Sequence, residues 1–204
     1  MVLAFGALKP ATQALLGQLA LLRTAFSDAA AAAVLGVPPS RARGILAGLG
    51  RLGLVWRPSG RTHALHSLLR AAAGAAAAAG GQQTATEARL VSRVLGQLRE
   101  WSEGYNTKCW RLGLVAAREE YPHLTLGLEL LASPSSAAWS VPQVVGALSA
   151  PLPHFARAAG LPARLGAVCE NLLKKIDASP TKATPEHQVS WAVGCPVWIG
   201  ANRV

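Results

Sequence analysis

The sequence predicts a mainly α protein in two parts, and three observations predict it. Leu, Val and Ala recur at helical spacing along most of the chain, Gly and Pro punctuate those stretches, and one pair of short apolar runs flanks a Pro-Ser-Gly turn near residue 59. The chain has 204 residues, room for one core or two small ones. Half of it is apolar, but much of that is alanine and only 5% is aromatic. The core must therefore be built on Leu, Val and six Trp within a matrix of Ala and Gly.

The elements of the first part follow in order. Leu15, Leu16, Leu19 and Leu22 share one face of a helix over 12–22. Ser27 stands where an N-cap belongs, opening a short helix from Asp28 to Leu35 that Gly36 ends. Val37-Pro38 is an extended break, and Pro39 suits the first turn of a third helix with a core stripe of Ala42, Ile45, Leu46, Leu49 and Leu52, closed by Gly53. Leu54-Val55-Trp56 and Arg61-Thr62-His63-Ala64-Leu65 then flank the turn and predict a β-hairpin. A last helix begins near His66 and runs into an Ala-rich tract, and residues 74–84 read as a linker or a frayed helix end. Three helices followed by a hairpin is winged helix-turn-helix order. The expected fold is thus a winged-helix domain over 1–80, a linker over 81–86 and a helical bundle or helical-repeat array over 87–177.

In that second part Leu90, Val91, Val94, Leu95, Leu98 and Trp101 make an amphipathic stripe from Thr86 to Gly104. A turn at Asn106-Thr107 leads to a helix over 108–120, and Pro122 predicts a bend or restart before Leu124, Leu128 and Leu131. Further helices are expected at 141–149 and as a hairpin over 154–176, turning at Gly160-Leu161-Pro162. Residues 178–204 lose periodicity and are expected to be a disordered tail.

Charge is unevenly placed. The net charge is +10, and +7 of it falls before Gly81, where eight basic residues face Asp28 alone. Such an excess points to nucleic acid, an acidic surface or an acidic protein partner, although Arg- and Ala-favouring codon usage would also raise it. Cys109, Cys169 and Cys195 have no paired spacing, which argues against a disulfide framework and a structural zinc site. No stretch supplies the roughly 20 strongly apolar residues of a membrane span, so a cytoplasmic protein with no membrane partner is expected.

Two stretches carry a family resemblance. The run from Gly17 to Gly36 resembles the opening of the winged-helix (ARC2-like) segment of NB-ARC, or STAND, signalling ATPases. Leu65-His66-Ser67-Leu68-Leu69-Arg70 is similar to that family's Met-His-Asp motif and the Leu-Leu-Arg after it, with Leu65 for Met and Ser67 for Asp. The likeness spans residues 8–79. It implies a regulatory module packed on a nucleotide-binding domain, coupling ADP or ATP state to signal transduction, with His66 touching the β-phosphate of ADP. An imidazole at a helix start suits that role, because the helix N-terminus favours anions. Ser67 removes a carboxylate that would help hold the closed state. No G-x-x-x-x-G-K-[ST] loop occurs, so the chain alone is expected to bind no cofactor and hydrolyse no nucleotide by that route. Residues 156–168 resemble the joint of a tetratricopeptide repeat, without a second copy at a period of about 34.

The alternative is a free-standing, basic winged-helix DNA-binding regulator using Arg41, Arg43, Arg51, Arg57 and Arg61, residues on the third helix and the wing that would meet phosphates. The same helix offers Gly44, Ala47 and Gly50 outward and no Asn or Gln to read base edges, which favours salt-sensitive phosphate contacts or close packing on a protein. His63 and His66 lack the further ligands of a metal site. Glu119-Glu120 point in different directions, and the cysteines have no base partner, so no enzyme is expected. Trp101 and Trp110 are read as core residues of antiparallel helices.

Overall fold

The computed structural model describes residues 5–104, 110–133, 171 and 174. The protein is mainly helical, and among the described residues six helices accompany one two-stranded sheet. We number them α1 (Pro10–Leu19), α2 (Asp28–Leu35), α3 (Pro39–Arg51), β1 (Val55–Ser59), β2 (Thr62–Leu65), α4 (Ser67–Ala79), α5 (Gln83–Gly104) and α6 (Trp110–Ala132). The chain divides into two compact units, Met1–Arg93 and Val94–Val204. The expected turn at Asn106-Thr107, helix over 141–149, most of the hairpin over 154–176, tail over 178–204 and all three cysteines lie outside the described residues.

In the first unit local chemistry sets the ends of each helix. Ser27 caps α2, its side chain accepting the Ala30 N–H at 3.1 Å. Gly36 ends α2 with φ +65°, so Val37 N–H reaches Ala32 O and Gly36 N–H reaches Ala33 O, a left-handed turn that glycine adopts without steric cost. Proline opens both α1 and α3, where its missing N–H would find no helical partner anyway. Leu16, Leu19 and Leu22 are buried with Phe26, Val34, Leu46 and Leu49, which places the core among the first three helices. Val55 and Leu65 close it from the hairpin.

Three expectations change in the first unit. Leu52 was expected in the core stripe of α3 but is 65% exposed. It is the C-cap, and Gly53 at φ +69° turns the chain away before the helical period returns it to the core. Residues 74–79, expected as a linker or a frayed helix end, are helical: α4 continues through Ala79 and packs along α1. Small residues make that approach possible, since a Cβ at Gly17 would stand 3.0 Å from Ala77 Cβ and 3.4 Å from Ala73 O. Residues 83–86, also expected in a linker, are helical, and α5 begins at Gln83 rather than Thr86.

The early part of α5 belongs to this unit. Arg89 Nε donates to Val34 O at 2.9 Å, satisfying a carbonyl at the end of α2 where a cation is favoured. Its guanidinium also donates to Thr86 Oγ1, and its stem lies where a Gly36 side chain would stand.

In the second unit Val94 and Leu98 of α5 are buried, as expected from their stripe, and Leu95 and Trp101 are half-buried. Helix α6 runs without interruption through Pro122, where a bend or restart was expected. Proline costs a helix interior about 3 kcal/mol through the lost hydrogen bond and ring clash. Burial offsets it: every residue from His123 to Leu128 is buried, the pattern of a helix covered on all sides. At Gly127 the covering element is α5, for a Cβ there would lie 2.6 Å from Val94 Cγ2. No helix among the described residues is long and apolar enough to cross a membrane.

Candidate functional site

His66 sits at the junction of β2 and α4. The pairing of Val55 with Leu65 fixes the strand end before it. Arg70, one turn into α4, donates from one guanidinium nitrogen to Leu65 O at 3.1 Å and from the other to Arg23 O. That clamp ties the segment after α1 to the strand end, and partial burial of the guanidinium lowers the Arg70 pKa from its ordinary value. Arginine stays charged regardless.

With its neighbours held, His66 becomes the N-cap of α4. Its backbone is extended and its Nδ1 accepts the Leu68 N–H at 3.3 Å. Histidine here does the work of Ser or Asp, serving one of the four helix N–H groups that lack an intrahelical acceptor. An accepting Nδ1 requires the tautomer with hydrogen on Nε2. The side chain is exposed, so the Nε2–H is available to an acceptor outside the unit.

The five arginines of the nucleic-acid alternative are all exposed. Arg41, Arg43 and Arg51 lie on α3, Arg57 lies on β1, and Arg61 lies in the hairpin turn. Arg43 is partly engaged, its Nε 3.6 Å from Asp28 Oδ2. Gly44, Ala47 and Gly50 are not buried, which leaves this face of α3 short of hydrogen-bonding side chains between its arginines.

Sequence reasoning missed the residues that fix the hairpin. Phe26, between α1 and α2, forms an antiparallel bridge with His63, each N–H donating to the other's carbonyl at 2.8 Å. The two rings stack with centroids 6.1 Å apart. His63 is buried, and its Nε2 lies 2.8 Å from Asp28 Oδ1. The hairpin is thus pinned to the first turn of α2 by backbone, ring and carboxylate together. A single bridged residue shows no strand alternation, so the sequence carries no signal for it. His63 and His66 therefore do different work, one inside the unit and one at its surface.

Elsewhere, Glu119 is exposed, while Glu120 Oε2 lies 3.4 Å from Nδ1 of the buried His123. Gly17, Ala20, Leu21, Gly74 and Ala77 line an open cavity of about 250 Å³ between α1 and α4, with Arg23, Gln83 and Thr86 at its polar side. Comparison with protein-family models, curated proteins and solved structures finds no match to the chain.

Proposed function

We propose that residues 1–80 form a winged helix and that the chain is a non-catalytic regulatory and interaction module of NB-ARC type. It couples the nucleotide state of a separate nucleotide-binding domain to partner binding. Three helices, a hairpin and a fourth helix in that order support the winged-helix reading, as does the Phe26–His63 bridge that seats the hairpin beside the helices. One observation carries the functional reading: His66 caps α4 through Nδ1 and is exposed, so its Nε2–H can donate outward. A phosphate oxygen is a suitable acceptor, and the start of a 13-residue helix adds favourable field. His66 is the residue of this chain assigned to ADP; the rest of the nucleotide would be held by the partner domain.

The test supplies the nucleotide-binding core of an NB-ARC ATPase in trans, loaded with a fluorescent ADP. Adding this chain should slow ADP release, and His66→Ala should abolish most of that slowing, about tenfold for one hydrogen bond to a charged group. Equal release with the wild-type chain and His66→Ala would overturn the assignment.

A second reading rests on a separate observation, the five exposed arginines of α3 and the hairpin. It makes the module a phosphate-contacting DNA binder whose affinity falls steeply with salt. A duplex of mixed sequence should then shift at low salt, and Arg51→Ala/Arg57→Ala should remove the shift. No shift at low salt would discard this reading.

A further inference from the structure

The hairpin carries a surface that the His66 reading leaves unused. Trp56 on β1 is 55% exposed and Leu52, at the end of α3, is 65% exposed. Tryptophan is highly buried on average in folded proteins, so an exposed indole is the more informative of the two. Trp56 stands opposite Ala64 in the hairpin, and a methyl group cannot cover an indole. The end of α3 lies close against β1, with the position of a Gly50 Cβ 3.6 Å from Val55 O. The element carrying Leu52 and the strand carrying Trp56 are therefore neighbours. Arg51 and Arg57 are exposed on these elements and Arg61 in the turn that follows, and no Asp or Glu occurs between Asp28 and Glu87.

Tryptophan and arginine are the residues most enriched where binding energy concentrates, with apolar anchors at the centre and charges at the rim. An exposed leucine on the element next to the tryptophan's strand separates this surface from a base-stacking platform, in which aromatic rings rather than branched aliphatic groups meet the bases. We infer that the end of α3 and the hairpin form a docking surface for an acidic, amphipathic segment of a protein partner. Its apolar side chains would cover Trp56 and Leu52, and its carboxylates would meet Arg51, Arg57 and Arg61. The inference deepens the interaction-module reading and names its partner's chemistry, but it does not depend on His66 or on nucleotide.

The test uses the full chain and a labelled helical peptide with Leu at i, i+3, i+4 and i+7 and Asp or Glu elsewhere. A scrambled peptide of equal charge, a single-stranded oligothymidylate and a DNA duplex serve as competitors, read by fluorescence anisotropy. The amphipathic peptide should bind at least about tenfold more tightly than the scrambled one, the size expected for a buried anchor. Trp56→Ala should remove most of that difference, and Trp56→Phe should restore it. Arg57→Glu/Arg61→Glu should weaken binding and flatten its salt dependence. Equal binding of the two peptides, indifference to Trp56→Ala, or binding of nucleic acid alone would each overturn the inference. His66→Ala should leave peptide binding unchanged, so failure here is distinct from failure of the nucleotide role.

Discussion

The Nε2 of His63 lies 2.8 Å from Oδ1 of Asp28, a contact between residues 35 apart in sequence that joins β2 to the first turn of α2. The His63 side chain is 4% exposed, so a partner lost here is not replaced by bulk water. Asp28→Ala should cost about 1–3 kcal/mol, the penalty for leaving a buried polar atom unsatisfied, and Asp28→Asn, which can still hydrogen-bond, should cost less. The other neighbour of Asp28 behaves differently. Arg43 is 65% exposed and 3.6 Å away, and Arg43→Ala should change stability by less than about 1 kcal/mol. Urea unfolding of the three variants checks the ranking; equal losses for Asp28→Ala and Arg43→Ala would reject it.

The seam between α1 and α4 predicts opposite outcomes at two glycines. A side chain at Gly17 meets Ala77 Cβ at 3.0 Å and the Ala73 carbonyl, so Gly17→Val should destabilise by about 1–3 kcal/mol through overpacking. Gly44, inside α3, has nothing within 4 Å of the point where a methyl group would stand. Gly44→Ala should therefore raise stability by up to about 1 kcal/mol, the helix propensity gained. Thermal unfolding should move the two variants in opposite directions, and a shared direction would contradict the close-packed seam.

The end of α2 makes a third prediction. A side chain at Gly36 must adopt φ +65° and meets Arg89 Cδ at 3.1 Å. Gly36→Ala should cost about 1–2 kcal/mol, chiefly for the left-handed backbone. Arg89→Ala should cost about 1 kcal/mol by leaving the Val34 carbonyl without its donor. Amide exchange should report the second loss locally, as faster exchange in the last turn of α2. Unchanged exchange there would remove Arg89 from the account.

Much of the first unit was legible because its punctuation is local. Ser27, Gly36, Pro39 and Gly53 each act within a few residues, and the helices of 28–35 and 39–51 stand between them. What escaped was non-local. The pairings of His63 with Asp28 and of Phe26 with His63 need the fold before they can be seen. Residues 74–84 read as a linker or a frayed helix end because alanine and glycine give no apolar stripe, yet small side chains are what the close approach to Gly17 requires. Leu52 fitted the period of α3 but lay at its end, where the backbone turns away. At the candidate site, His66 was singled out by the likeness of Leu65-His66-Ser67 to the Met-His-Asp motif, and its acceptance of the Leu68 N–H could not be read from the sequence.

In the second unit Gly127 and Val94 are matched in size. A Cβ on Gly127 would stand 2.6 Å from Val94 Cγ2, so Gly127→Ala should destabilise the packing of α6 on α5 by about 1–3 kcal/mol. Adding Val94→Ala should recover part of the loss, because it removes the methyls in the way. A double-mutant cycle in urea measures the coupling. Additive losses would mean that the two positions do not meet.

The proposed role of His66, holding α4 with one ring nitrogen and offering the other to a nucleotide phosphate, is open to imidazole ¹⁵N spectroscopy. The chain has five histidines, and comparison with His66→Ala assigns the relevant signals. The free chain should hold the Nε2–H tautomer, since Nδ1 accepts the Leu68 N–H. A change at Nε2 should follow when an ADP-loaded NB-ARC nucleotide-binding core is added, and none with the nucleotide-free core. A His66 signal that ignores the ADP-loaded core, or hydrogen found on Nδ1 in the free chain, would contradict that role.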